Sequence, residues 1–200
     1  MIVVDLDRRA VLQSINIVSV VTADMLHWQT PCADWNVGQL LRHMISEHRG
    51  FASAARGNVS DASAWDECPL SAEPGADYAA AATDVIAAFA SAPSAHFWLP
   101  KVGQGEHMYP ARRAMSFHLL DYVIHGWDVA AAVGSSREID PELVAATVGV
   151  ARVEVPDTPA RHQPRASFGP PLPMDGGDLM VDRLLATLGR ASGWQAQPGG

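Results

Sequence analysis

Apolar residues recur at close to helical spacing along most of the chain. Between residues 5 and 27, Leu6, Ala10, Ile17, Val20, Val21 and Leu26 predict a first helix, which stops before "WQTPCADW". Beyond the Pro31 turn, Val37, Leu40, Leu41, Met44, Ile45, Phe51 and Ala54 predict a second helix, with Asn36 as its N-cap and Gly57 and Asn58 closing it. A polar connection over 58–76 leads to "ADYAAAATDVIAAFASA", rich in the best helix former and ending near Pro93. The stretch "HFWLPKVGQGEHMYPARR" holds Pro100, Pro110 and two glycines and reads as a long loop or short hairpin. A fourth helix runs from about Ala111 to Ala132, with Gly134 as C-cap. Asp140 and Pro141 open a fifth. A Pro-rich irregular segment, "PDTPARHQPRASFGPPLPMDGG", precedes a short terminal helix in "DLMVDRLLATLGR", and the last ten residues read as frayed. No internal repeat and no strand-period alternation stands out. The expectation is an all-α domain spanning 1–200: four principal helices with long crossovers at about 5–134, a bundle signature, and a C-terminal extension at about 135–200.

Composition narrows the partners. A net charge of -8 and the lack of any Lys/Arg cluster argue against a nucleic-acid surface, because phosphate binding needs concentrated positive charge. The two cysteines, Cys32 and Cys68, form no paired motif, so neither a disulfide framework nor a thiolate zinc finger is expected. The N-terminus carries Asp5 and Asp7 and no cationic region ahead of its apolar run, unlike a signal peptide. No uninterrupted apolar stretch reaches the roughly 18 to 20 residues that span a membrane. The expectation is a soluble, cytoplasmic protein.

The fourth helix changes the picture. "FHLLDYVIHGWDVA" has no Lys, Arg, Glu or Gln, yet carries two histidines and two aspartates. At about 100° per residue, His118, Asp121, His125 and Asp128 fall within an arc of roughly 80°. The spacing of Asp121 and His125 lets both reach one point above the same turn, as paired ligands in bundle metal sites do. The same spacing also fits the solvent side of an amphipathic helix, since Leu120, Val123, Ile124 and Trp127 lie roughly opposite. Large apolar neighbours, Met115, Phe117, Tyr122 and Val129, flank the stripe and favour burial. A metal needs a further ligand, and the second helix offers His43, four residues before Glu47 on the same face. A lone His in such an apolar setting is more often a core residue bonded to backbone.

The pieces "TPCADWNVGQLLRHMI", "FHLLDYVIHGWDVAAAVG" and "FGPPLPMDGGDLMVDRLLATLGR" together resemble the DinB-like superfamily, and within it the mycothiol-dependent maleylpyruvate isomerase metal-binding domain. The resemblance covers most of the chain, in order. It implies a DinB-like four-helix bundle holding a divalent metal on one His of the second helix and an acid/His pair four apart on the last bundle helix. Here those residues would be His43, Asp121 and His125. Asp121 departs from the glutamate of the better-known enzyme, and a shorter carboxylate must bring its helix closer or lose a direct bond. His118, seven residues before His125, would be an alternative ligand or a proton carrier beside the metal. Two imidazoles and a carboxylate suit zinc first, with nickel, iron or manganese as alternatives, and leave coordination positions open. The resemblance implies that a low-molecular-weight thiol such as mycothiol binds the metal as thiolate and attacks a small-molecule electrophilic substrate.

Other residues have plainer readings beside functional ones. Trp28 and Trp35 read as packing at the start of the second helix, and Cys32 as a small buried thiol with no positive group adjoining it in sequence. Asp128 either orients a ligating histidine or bonds backbone. Arg112 and Arg113 read as surface arginines that could attract an anion, and His107 as a cavity-mouth residue. The leading expectation is a metal-dependent thiol transferase or thiol-assisted isomerase. The alternatives are a non-catalytic metal- or small-ligand-binding bundle, or a biosynthetic step that uses no thiol. Bundles of this kind often form homodimers, but no exposed apolar stripe marks an interface.

Overall fold

Local chemistry sets the helix ends. Asn36 accepts from the backbone N–H of Gln39, while the Gln39 side chain accepts from that of Asn36, a reciprocal cap. Asp140 accepts from the Glu142 N–H ahead of Pro141, and Gly134 takes the left-handed conformation, φ 71°, that only glycine adopts without strain. The computed structural model describes residues 2–32, 35–102, 107–163, 166–174 and 179–196. Among them lie α1 (Val3–Val18), α2 (Val37–Ala55), α3 (Pro74–Ala90), α4 (Ala111–Val133), α5 (Pro141–Glu154) and α6 (Met180–Thr187). A two-stranded antiparallel hairpin, β1 (His96–Trp98) and β2 (Met108–Pro110), pairs Phe97 with Tyr109. The chain is thus all-α in class apart from that hairpin. The first helix stops at Val18, short of the expected end near 27: Val18, Val20, Val21 and Thr22 are β-branched and weak helix formers, and a 3-10 turn at Ala23–Met25 follows. The two glycines of the expected loop, at 103 and 105, and the last four residues of the tail expected to fray, 197–200, lie outside the described residues.

The four long helices pack in a ring: α1 touches α3 and α4, and α2 touches α3 and α4. Consecutive helices α1 and α2 therefore face each other across one diagonal, and α3 and α4 across the other. Such an order demands two long crossovers, and residues 19–36 and 91–110 supply them. The shorter-range connection at 56–73 joins the neighbours α2 and α3.

α4 also carries α5 on its outer side, and α6 packs on α5. Leu143, Val144, Leu184, Leu185 and Leu188 share one core with Leu120, Ile124 and Trp127 of α4, so the C-terminal extension is built onto the bundle. On the other side, Val129 and Tyr122 of α4 join Leu40, Leu41 and Met44 of α2. α4 is consequently covered nearly all round, which explains why no long charged side chain appears between Phe117 and Ala132. Its polar stripe is not a solvent face: His118, His125 and Asp128 are buried. Among the described residues, no helix is long and apolar enough to cross a membrane.

Candidate metal centre

α2 and α4 bring three of the expected side chains together. The Nε2 of His125 lies 3.3 Å from Oδ1 of Asp121, and the Nε2 of His43 lies 3.6 Å from Oδ2 of the same carboxylate. The two imidazole rings meet edge to face with centroids 5.3 Å apart. One ligand atom from each residue lies within 4.8 Å of the others. The short aspartate therefore still reaches both histidines, because α2 and α4 pack directly on each other. The cluster opens on one side: the side chains of His43 and Asp121 are 22% and 23% exposed, that of His125 only 3%.

These separations test whether a metal suits the group. A good N–H···O bond spans about 2.7 to 3.2 Å, so 3.3 and 3.6 Å are long for hydrogen bonds. Ligands bound tetrahedrally at roughly 2.1 Å stand about 3.4 Å from one another. Each imidazole thus stands from the Asp121 carboxylate at about the separation of two ligands on one ion, and the chemistry of the set, two imidazoles and a carboxylate, suits a divalent ion.

A second contact fixes which nitrogen faces that point. The Nδ1 of His125 donates to Oδ2 of Asp128 at 3.0 Å, because a buried carboxylate held in its charged form can only accept. In the neutral ring Nε2 is then left with its lone pair toward His43 and Asp121. Arg190, beyond the end of α6, grips Asp128 in turn, with Nη2 on Oδ2 at 3.0 Å and Nε on Oδ1 at 3.3 Å. Burial pushes the Asp128 carboxyl up, but Arg190 and then His125 outweigh it and hold it below the ordinary range. Burial likewise opposes charge on His125, yet Asp121 and Asp128 hold the imidazole up to about 9. Asp121 is held well below its ordinary value despite burial, by His125 and His43.

Around the cluster stand residues of different weight. Trp35 lies over the His43 ring, centroids 4.5 Å apart, and 6.0 Å from that of His125, so it walls the site besides packing at the start of α2. Glu47, one turn beyond His43, is 9% exposed, and its burial raises its carboxyl above the usual range, with His43 pulling it back and Asp121 pushing it further. Cys32 comes within 4.8 Å of ligand atoms of His125 and Asp128, close enough to Arg190 for a thiolate there to interact with the guanidinium. The positive neighbour missing from its local sequence is supplied from the other end of the chain.

His118 is not brought to this group. Seven residues before His125, it lies about 10 Å lower along the helix axis. Its Nδ1 bonds Oδ1 of Asp7 at 2.6 Å, its Nε2 meets Nδ1 of His48 at 3.1 Å, and it is wholly buried. It is neither a ligand of the His43–Asp121–His125 group nor open to solvent, which corrects the expectation of a proton carrier at the metal. His48 stacks on Tyr122 with centroids 3.8 Å apart, and its own Nε2 is buried with no hydrogen-bond partner among the described residues. Burial, then His118, holds His48 well below the ordinary histidine range. Arg113 is taken up by Glu154 at 2.9 and 3.0 Å, Arg112 is exposed, and His107 bonds the Val102 carbonyl at 3.1 Å. None of these three belongs to the cluster. Arg190 escaped the sequence reading because no motif ties an arginine after a C-terminal helix to an aspartate on α4.

Comparison with known proteins follows the same line. Residues 8–130 match the family model described as the mycothiol maleylpyruvate isomerase N-terminal domain. Two uncharacterised proteins, from two strains of Mycobacterium tuberculosis, are each 31% identical over 177 residues, covering 85% of this chain and 87% of the relative. No solved structure matches the chain.

Proposed function

The chain belongs to the mycothiol maleylpyruvate isomerase N-terminal domain family, and on that premise we propose that it is a metal-dependent thiol transferase or thiol-assisted isomerase acting on a small electrophile. His43, Asp121 and His125 would hold the divalent ion, zinc first, and a mycothiol-type thiol would be the cosubstrate. The observation that carries this reading is the convergence of the three donors, at separations long for hydrogen bonds and suited to a shared cation. When bound, such an ion lowers the pKa of a thiol, so that the nucleophilic thiolate exists at neutral pH.

The chain's own groups do the rest. Asp128 orients the His125 ring from behind, and the buried side of the cluster excludes water. Trp35 offers an apolar wall on the partly open side. The proton released by the thiol goes, in this reading, to the carboxylate of Glu47. That group sits on the same face of α2 as His43, and its burial raises its basicity toward the working pH. His118, enclosed by Asp7 and His48, serves the packing of α4 rather than the chemistry.

The test is thiol-dependent turnover: purified protein, reconstituted with zinc, is assayed with mycothiol and maleylpyruvate, then with other small electrophiles. Acceleration over the metal-free protein supports the proposal. A chain that holds zinc firmly and accelerates none of these reactions is a binding module instead.

A further inference from the structure

We propose that Arg190 is a positioning residue of the metal centre: acting through Asp128, it fixes the His125 ring, so that the C-terminal segment completes a site whose ligands all lie in the bundle. The proposal rests on the metal reading above. The family match ends at residue 130, so this part of the site comes from outside it.

The chain of contacts is short and closed to water. Arg190 is 4% exposed and Asp128 is fully buried. The guanidinium holds both carboxylate oxygens, at 3.0 and 3.3 Å, while its third nitrogen donates to the Leu188 carbonyl at 2.8 Å. A carboxylate gripped at both oxygens cannot rotate. Oδ2 of Asp128, which also accepts from His125, is thereby fixed in space, and with it the direction of the lone pair on the far nitrogen.

The local fold delivers Arg190 to this point. Gly189 has φ 76°, and a Cβ there would meet the Pro170 carbonyl oxygen at 3.1 Å. The N–H of Gly189 bonds Ala186 O at 3.1 Å and that of Arg190 bonds Leu185 O at 2.8 Å, a left-handed closure that reverses the chain after α6. Phe168 lies under the guanidinium at 5.8 Å. A second buried arginine, Arg161, donates to the carbonyls of Gly169 and Thr187 and so ties the turn carrying Phe168 to the end of α6.

Charge explains why an arginine stands here. Cys32, His125 and Asp128 form a second set of donors within 4.8 Å. The guanidinium already neutralises its carboxylate, and Nδ1 of His125 stays committed to Asp128. A cation is thereby directed to the other nitrogen, where His43 and Asp121 converge.

The experiment measures cobalt(II) and zinc affinity of the full chain by competition with a chromophoric chelator, in wild type, R190M, R190K, D128N and the double variant R190M/D128N. Wild type binding one ion per chain establishes the premise, and a wild type that binds none defeats the metal reading itself. With that premise met, R190M is expected to weaken binding about 10- to 100-fold at unchanged stoichiometry and to alter the cobalt absorption spectrum. The double variant is expected to bind no worse than D128N, because both changes cut one chain of contacts. Should R190M lose helicity, R190K decides: an ammonium cannot span both oxygens, so several-fold weaker binding is expected. Wild-type affinity and spectrum in whichever variant folds, or penalties that simply add in the double variant, overturn the proposal.

Discussion

His125 Nε2 and Asp121 Oδ1, one turn apart on α4, stand 3.3 Å from each other, too far for a strong hydrogen bond and close enough to share a third body. On its other side the same ring makes an ordinary 3.0 Å hydrogen bond to Asp128. The contrast sets the two faces of one imidazole apart: one is used up, the other available.

The first consequence is a pH dependence. In the metal-free protein His125 is held up to about 9, above the ordinary histidine value. A raised folded-state pKa gives stability that is complete below about pH 6.5 and is lost as pH rises through about 9. Thermal melts of the metal-stripped chain should therefore fall across that window. A metal needs the neutral ring, so zinc added near pH 8 should release a proton and flatten the fall, read with a weakly buffered indicator dye. A metal-free melting temperature that rises from about pH 7 to 9 contradicts this.

Replacing Asp121 by Asn removes the carboxylate that both histidines face. Zinc affinity should drop by on the order of 100-fold, since a charged ligand and the partner of two imidazoles are lost together. Asp121→Glu, the longer acid, should retain most of it. Chelator competition measures both, and an Asn variant with wild-type affinity removes Asp121 from the ligand set.

Asp7→Asn separates the buried histidine pair from the metal centre. Asp7 is 1% exposed and bonds His118 at 2.6 Å. Its loss should cost about 1 to 3 kcal/mol in a denaturant melt, the scale for a buried polar group deprived of its partner. Metal stoichiometry should stay as in wild type. Loss of the metal in this variant would return His118 to the site.

Glu47→Gln keeps size and removes the proton acceptor. The variant should bind zinc normally while thiol-dependent turnover falls about 100-fold or more, the usual range for a lost general base. Unchanged turnover takes Glu47 out of the reaction.

Much of this was legible in the chain, for reasons that lie in particular residues. Asn36, Gly134 and Asp140 mark helix ends because their caps are local chemistry, and the spacing of Asp121 and His125 is local too. The stripe on α4 was ambiguous, since the same period serves a solvent face or a buried site. Only the packing of α1, α2 and α5 around α4 decides between them. His118 shares the stripe with His125, but angular position says nothing of height along the axis, and it is Asp7 on α1 and His48 on α2 that claim its ring. Arg190 and Cys32 reach the site through tertiary contacts that no spacing encodes.

The central claim is that His43, on one helix, and Asp121 with His125, on another, grip a single cation. The most direct test is the divalent metal content per chain of the natively purified protein, measured beside that of His43→Ala with helicity checked in both. The account predicts about one ion per chain in the native protein and essentially none in the folded variant. A native chain without metal, or a variant that keeps it, contradicts the account.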